Sequence, residues 1–362
     1  VTGAGGSVGS ELCRQIAAFD PERLLLVDRA EAQVFRIQQE LIEKRYRHII
    51  VPIVADILDV PRMWDLFQNF HPGMVFHAAA HKHVPLMESQ PGEAIRNNTH
   101  GTVGLARLAL EFGVDRFVFV STDKAINPTS VMGATKRLAE IYLQALFASQ
   151  PQKTTFVSVR LGNVLGSSGS VIPIFQKQIA AGGPVTVTHP EVKRYFMTVT
   201  EAAGLVMQCG AQAMGGEIFV LDMGQPVRIV QLARQMIELS GLKLDEDIKI
   251  EFIGLRPGEK LYEELCYHDE RHTPTSHPRI MCFTAEAEPF FHVNRLMQDL
   301  MERISWADSD EIKRLLKRAV PEYQPYLDEP DTWAPRRDVP PRVKSHPAFR
   351  GTAPVQTWVF HT

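Results

Sequence analysis

Through the first half of the chain, short apolar runs alternate with longer amphipathic stretches. The runs are Leu24-Leu25-Leu26-Val27, 49–54, 74–80, Phe117-Val118-Phe119-Val120 and Phe156-Val157-Ser158-Val159. They are rich in β-branched and aromatic residues with no polar alternate face, as strands covered on both sides are. Between them, 11–18, 31–45 and 102–112 repeat apolar residues at helical spacing. So does the stretch from Met132, where Leu138, Ala139, Tyr142 and Leu143 share a face. Strand and helix in alternation predict an α/β fold with a doubly wound parallel sheet whose first strand ends at Val1-Thr2. From 162 onward the pattern loosens, and 162–169, with five glycines and serines in eight positions, reads as a loop. Helices are predicted at 172–181, 200–213, 229–239 and 302–320, and short strands at 184–188, 217–221 and 248–253. They make up a smaller C-terminal α/β region. Prolines crowd together after Pro321, which predicts a loosely ordered tail over 328–362.

Composition excludes more than it identifies. The 362 residues suffice for one large domain or two modest ones, and 44% hydrophobic with 22% charged is ordinary for a globular chain. A formal net charge of −3 argues against nucleic acid and polybasic membrane contact. The cysteines, Cys13, Cys209, Cys266 and Cys282, form no CxxC pair and no metal-ligand spacing, and read as reduced thiols of a cytoplasmic protein. No apolar run approaches the ~20 residues of a membrane span, and no signal peptide is visible. Because Val1 already lies in the first strand, more chain is expected upstream, where a membrane anchor could stand.

The candidate chemistry sits at strand ends. Gly3, Gly6 and Gly9 punctuate a turn between a strand and a helix, with Ser7 and Val8 in the helix's first turn. Glycine there lets backbone N–H groups approach a pyrophosphate at a helix N-terminus. Asp28 follows about 20 residues later, at the end of the next strand, where an acid can accept from a ribose. It favours NAD by repelling a 2′-phosphate, and Arg29 beside it leaves NADP open. Ala78-Ala79-Ala80 suits either a floor beneath a cofactor or close strand packing. Lys82 faces a diphosphate or solvent. His81-x-His83 has no third ligand nearby, so no metal is expected. Ser121-Thr122-Asp123-Lys124 ends the buried strand with a hydroxyl, a carboxylate and an amine in succession, and Lys136 stands four residues after Met132 on the following helix. Strand-end capping would explain the first set alone. With a nucleotide site beside it, proton transfer explains it better.

Several longer motifs are more specific. TGAGGSVGSE at 2–11, HAAAHKHVPLME at 77–88, STDKAINPTSVMGATKR at 121–137, RLGNVLGSSGSVIPIF at 160–175, RYFMT at 194–198 and RPGEK at 256–260 resemble the extended short-chain dehydrogenase/reductases. Within them they are most similar to the UDP-N-acetylglucosamine 4,6-dehydratases of bacterial polysaccharide biosynthesis. The likeness runs to about residue 279. It implies a Rossmann domain over 1–162 that binds NAD(P) and a region over 163–327 that mainly holds the nucleotide sugar. It also implies cofactor contacts at Asp56, Ile57, Ala78, Asn98 and Lys136 besides the glycines and Asp28. Substrate contacts are implied at Asn163, Ser170, Arg194, Arg256 and Glu259, with 184–187 along the uracil. A homo-oligomer is implied too.

In that layout the position of Met132 is normally a tyrosine that exchanges protons, and a thioether cannot. Members with methionine there resemble the type that retains configuration at carbon 5. The implied reaction moves a hydride from carbon 4 of the sugar to carbon 6 and expels water, with Lys124 as base and Asp123 as acid. A free lysine has a pKa of ~10.4, so poising Lys124 near 7 costs about 4 kcal/mol, and desolvation beside Lys136 is the expected cause. Asp123 is expected to be raised. Thr122, Asp123 and water all remain candidates to take the carbon-4 hydroxyl proton. The alternatives are a UDP-sugar 4-epimerase, which Met132 argues against, and a non-catalytic dinucleotide sensor, which Arg194 and RPGEK argue against.

Overall fold

In the computed structural model, which describes residues 1–151, 153–265, 272–283 and 286–327, the apolar runs become the centre of one sheet. Helix α1 (Ser7–Ala17) leads to β1 (Leu24–Asp28), α2 (Glu31–Glu43), β2 (Ile50–Val54), α3 (Val60–Phe70) and β3 (Met74–His77). A broken helical run follows: α4 (Val84–Ser89), α5 (Pro91–Ala94), a wide π turn at Ile95–His100, and α6 (Gly101–Glu111). Strand β4 (Arg116–Thr122) passes through a 3-10 turn at Asp123–Ala125 to α7 (Val131–Ser149) and β5 (Thr155–Leu161). Thr2 bridges Val27 and His77 in parallel and so joins the β2-β1 pair to β3-β4-β5.

The rest of the chain adds β6 (Asn163–Val164), α8 (Val171–Ala180), β7 (Val185–Val187), β8 (Lys193–Arg194), β9 (Phe196–Met197), α9 (Val199–Gln212) and β10 (Ile218–Leu221). Then come β11 (Val227–Arg228), α10 (Ile229–Leu239), β12 (Ile250–Phe252), β13 (His272–Pro274), β14 (Ile280–Phe283), α11 (Phe290–Arg303) and α12 (Ser309–Ala319). Strand β10 extends the sheet in parallel beside β5, and β14 and β13 close that edge antiparallel. The fold is a Rossmann-type doubly wound sheet with an antiparallel rim.

Alternation along β4 explains why its run is apolar throughout. Phe117 and Phe119 enter the core under α6, α7 and α11, whereas Val118 and Val120 enter the core under α9 on the other face. A third core, around Phe175, Val185, Val187, Ile237 and Ile248, holds α8, β7, α10 and β12 together. Residues Val1–Tyr326 form one compact unit.

Four expectations change in detail. The strand predicted to reach Ala80 ends at His77, and the loop at 162–169 begins with β6, paired to β9. The helix predicted at 302–320 is two, because Asp308 caps α12 by accepting from Glu311 N and breaks the run. Helix α11 was not anticipated, nor its packing against α7. The tail over 328–362 and Cys266 lie outside the described residues. Among those described, no helix is long and apolar enough to cross a membrane.

Candidate active site

The glycine turn forms a cradle that side chains would fill. Gly3 has φ 68°, and a Cβ there would stand 2.6 Å from Ala79 N. A Cβ on Gly9 would run into Gly3 O. Gly6 caps α1 without any side-chain bond, so the first N–H groups, from Ser7 and Val8 on, stay open to an anion. Asp28 is fixed beside the turn, its Oδ2 accepting from Gly5 N and its Oδ1 from Ala30 N, both at 3.0 Å. Gly3, Gly6 and Asp28 line a cavity of about 330 Å³ with Asp56, Ile57, Ala78, Ala79, Ala80, His81 and Asn97.

Arg29 reaches across the mouth, 3.7 Å from Asp56 and 3.4 Å from the His81 ring. Asn98 is wholly buried. Its amide donates to His81 O and Thr135 Oγ1 and its Oδ1 accepts from His81 N, so it holds the 78–81 loop while Asn97 faces the cavity. Lys82 is exposed. His81 Nε2 lies 3.1 Å from Glu93, and among the described residues no group of three His, Cys, Asp or Glu side chains is placed to hold a metal.

A second cavity, about 160 Å³, opens beyond the end of β4. Lys124 lines it, and Ser130 caps α7 beside it by accepting from Gly133 N. Lys124 Nζ donates to Asp123 Oδ1 at 2.9 Å and to Asn163 Oδ1 at 3.1 Å. Thr122 Oγ1 donates to the same Asp123 oxygen at 2.9 Å. Burial works against the charge on Lys124, yet the Asp123 and Glu263 carboxylates outweigh it and hold the amine above the ordinary lysine value. The expectation of a lowered Lys124 is therefore corrected for the resting site, because a second anion was overlooked.

Between Lys124 and Lys136, the lowered amine is Lys136. Burial pushes it down to about 7 against the pull of Glu140, and its Nζ lies 3.9 Å from the centre of the Phe119 ring. Met132 is buried on the same helix and belongs to the core.

Arg194 is brought in by β8 and bound by the 256–263 loop. Its guanidinium donates to Lys193 O at 2.8 Å, to Lys260 O at 2.8 Å and to Glu259 Oε1 at 3.2 Å. Thr188, just past β7, also donates to Glu259, which ties the strand predicted along the uracil to the cavity wall. Arg256 lines the cavity from an exposed position. Ser170, before α8, keeps a buried Oγ with no partner among the described residues. The residue missed from sequence is Glu263, whose carboxylate lies 3.7 Å from Lys124 and 3.6 Å from Arg194. Burial, seconded by Asp123, holds its carboxyl above the usual range. Its only signal was its place three residues after the RPGEK motif.

Comparison with known proteins identifies the family. A family model described as polysaccharide biosynthesis protein matches residues 1–285. The capsular polysaccharide biosynthesis protein CapD of Staphylococcus aureus is 54% identical over 307 residues, covering 84% of this chain and 51% of that protein, so the chain spans about half the length of that relative. A Campylobacter jejuni protein named UDP-N-acetylglucosamine 4,6-dehydratase (inverting) is 30% identical over 275 residues, 75% of this chain and 78% of its own. Among solved structures, Pen from Bacillus thuringiensis superposes with a TM-score of 0.72 at 36% identity, over 79% of this chain and 86% of that one. The chain belongs to the polysaccharide biosynthesis protein family of extended short-chain dehydrogenase/reductases.

Proposed function

We propose that the chain is the catalytic domain of a nucleotide-sugar 4,6-dehydratase that uses NAD and acts on UDP-N-acetylglucosamine. One observation carries the reading: an amine that lines a cavity with two arginines is hydrogen-bonded to a buried acid, which also accepts from a hydroxyl. Guanidinium forks suit a diphosphate. An elimination needs an acid and a base in one cleft, whereas an epimerase needs a proton shuttle where Met132 stands.

The residues present fit a dinucleotide: a glycine cradle, an open helix N-terminus and a fixed Asp28. When bound, the nicotinamide supplies a hydride acceptor at carbon 4 of the sugar and the donor at carbon 6. Thr122 passes the carbon-4 hydroxyl proton to Asp123, whose Oδ1 already accepts from it. Asp123 thereby becomes the acid, and Lys124 loses the nearer of the anions that hold it charged. Neutral Lys124 takes the proton of carbon 5, Asp123 protonates the departing carbon-6 hydroxyl, and Lys124 returns its proton to carbon 5. The expelled water thus carries the proton that began on the carbon-4 oxygen.

The cavity is smaller than the ~300 Å³ usual for a ligand pocket. The reading therefore requires the loop bearing Arg256 to move outward, between Gly254 at φ 85° and Gly258 at φ 73°. Incubation with NAD and UDP-N-acetylglucosamine tests it by mass spectrometry. Loss of one water is expected. An isomer of unchanged mass would make the chain an epimerase, and no change would leave it a dinucleotide-binding protein.

A further inference from the structure

The proposed cycle leaves one proton unassigned. Lys124 is charged at rest and has to be neutral before it takes a proton from carbon 5. Glu263 is placed to receive that proton. Its Oε1 lies 3.7 Å from Lys124 Nζ, and its side chain is 2% exposed. Its Oε2 is buried without a hydrogen-bond partner among the described residues, and the residue lines the substrate cavity. A buried carboxylate with one idle oxygen is costly as an anion and far cheaper as an acid.

The groups that face it come from three elements: Lys124 and Asp123 from the end of β4, Arg194 from β8, and Lys260 from its own loop. Burial favours its neutral form, as does Asp123 only while that group is ionised, and the three cations favour its ionised form. Arg194 Nε, at 3.6 Å, is one of those cations. A substrate diphosphate docked on Arg194 would offset that cation and tip the balance toward the acid.

We infer that Glu263 is a positioning residue that stores the proton of Lys124 while the elimination proceeds. An Nζ–H bond breaks and an O–H bond forms on the Glu263 carboxylate. The ion pair becomes a neutral pair, and the proton returns to Lys124 once carbon 5 has been reprotonated. No oxidant or further reactant is needed. The inference rests on the dehydratase reading.

The test is the pH profile of Glu263→Gln with UDP-N-acetylglucosamine. In the wild type the transfer is internal, so kcat is flat over pH ~6–8. In the variant the proton must go to solvent. Its kcat then gains an acid limb falling about tenfold per unit and stands at least about tenfold below wild type at pH 7, with KM and calorimetric UDP affinity within about threefold. A purely structural role lowers activity without adding a limb. Glu263→Ala is the second variant. Formate, a small carboxylate, should restore its kcat at least about fivefold, and chloride should not. A Glu263→Gln profile parallel to wild type, or a Glu263→Ala enzyme indifferent to formate, overturns the inference alone. A wild-type enzyme that leaves the mass of UDP-N-acetylglucosamine unchanged overturns the dehydratase reading and this inference with it.

Discussion

The glycine-lined groove is walled largely by backbone and small side chains, and the cavity beyond β4 largely by charges. In the groove, Gly3, Gly6 and Ala78–Ala80 leave main-chain N–H groups accessible, and one acid, Asp28, is pinned by two of them. In the cavity, Lys124, Asp123, Glu263, Arg194 and Glu259 hold one another through hydrogen bonds and ion pairs of 2.9–3.7 Å. The groove takes its shape mainly from backbone and alanine side chains, which do not titrate. The charge network is set by which of its members carries a proton, so losing one member changes the state of the others. Substitutions in the groove should therefore act through shape and stability, and those in the cavity through rate and affinity.

The largest effect expected is in the cavity. Lys124→Ala should lower kcat by about 10²–10⁴-fold while UDP still binds, measured by mass loss from the sugar nucleotide and by calorimetry. Turnover within a few-fold of wild type would remove the base from the account.

In the groove, Gly3→Ala forces a left-handed φ on a side-chain-bearing residue and drives its Cβ against Ala79 N. A loss of about 2–4 kcal/mol is expected in chemical denaturation, together with weaker NAD binding. The folded fraction should keep its affinity for UDP. If UDP affinity fell with it, the two cavities would not be separable in this way.

A milder change is expected at Arg256, which is exposed and contacts Glu259 through its backbone N–H and carbonyl. Arg256→Ala should raise KM about tenfold with kcat and stability nearly unchanged.

The remaining effect is a pH slope. Lys136 titrates near 7 in the folded chain and near its usual higher value when unfolded, so between those values the unfolded chain binds more protons. Stability should then rise with pH across that window, by up to about 1.4 kcal/mol per unit, and the buried charge should weigh fully below pH 7. Subtracting the curve of Lys136→Met isolates this slope. Parallel curves would mean that the amine is charged in the fold.

The same contrast decides how much of each region is legible in the order of residues alone. The groove is legible because its parts are local: a glycine turn, a helix start, and an acid one β-α-β unit later. The alternation that identifies the sheet is local as well, and β4 carries both of its faces in four consecutive residues. The charge state of Lys124 is not legible. It depends on the adjacent Asp123 and, in addition, on Glu263, 139 positions away, which the 256–263 loop delivers to the cavity. The resemblance implies a cofactor contact at Asn98, and only the π turn shows that it clamps the 78–81 backbone while Asn97 faces the groove. The break between α11 and α12 hides in an amphipathic run, because a capping aspartate looks like any other surface acid.

The central claim, a hydride lent by carbon 4 and returned to carbon 6 as water departs, is tested most directly with UDP-N-acetylglucosamine deuterated at carbon 4. The account predicts a product lighter by one water, with the deuterium in the carbon-6 methyl group and the configuration at carbon 5 retained. Deuterium still on carbon 4 of an isomer of unchanged mass, or deuterium lost to solvent, would contradict it.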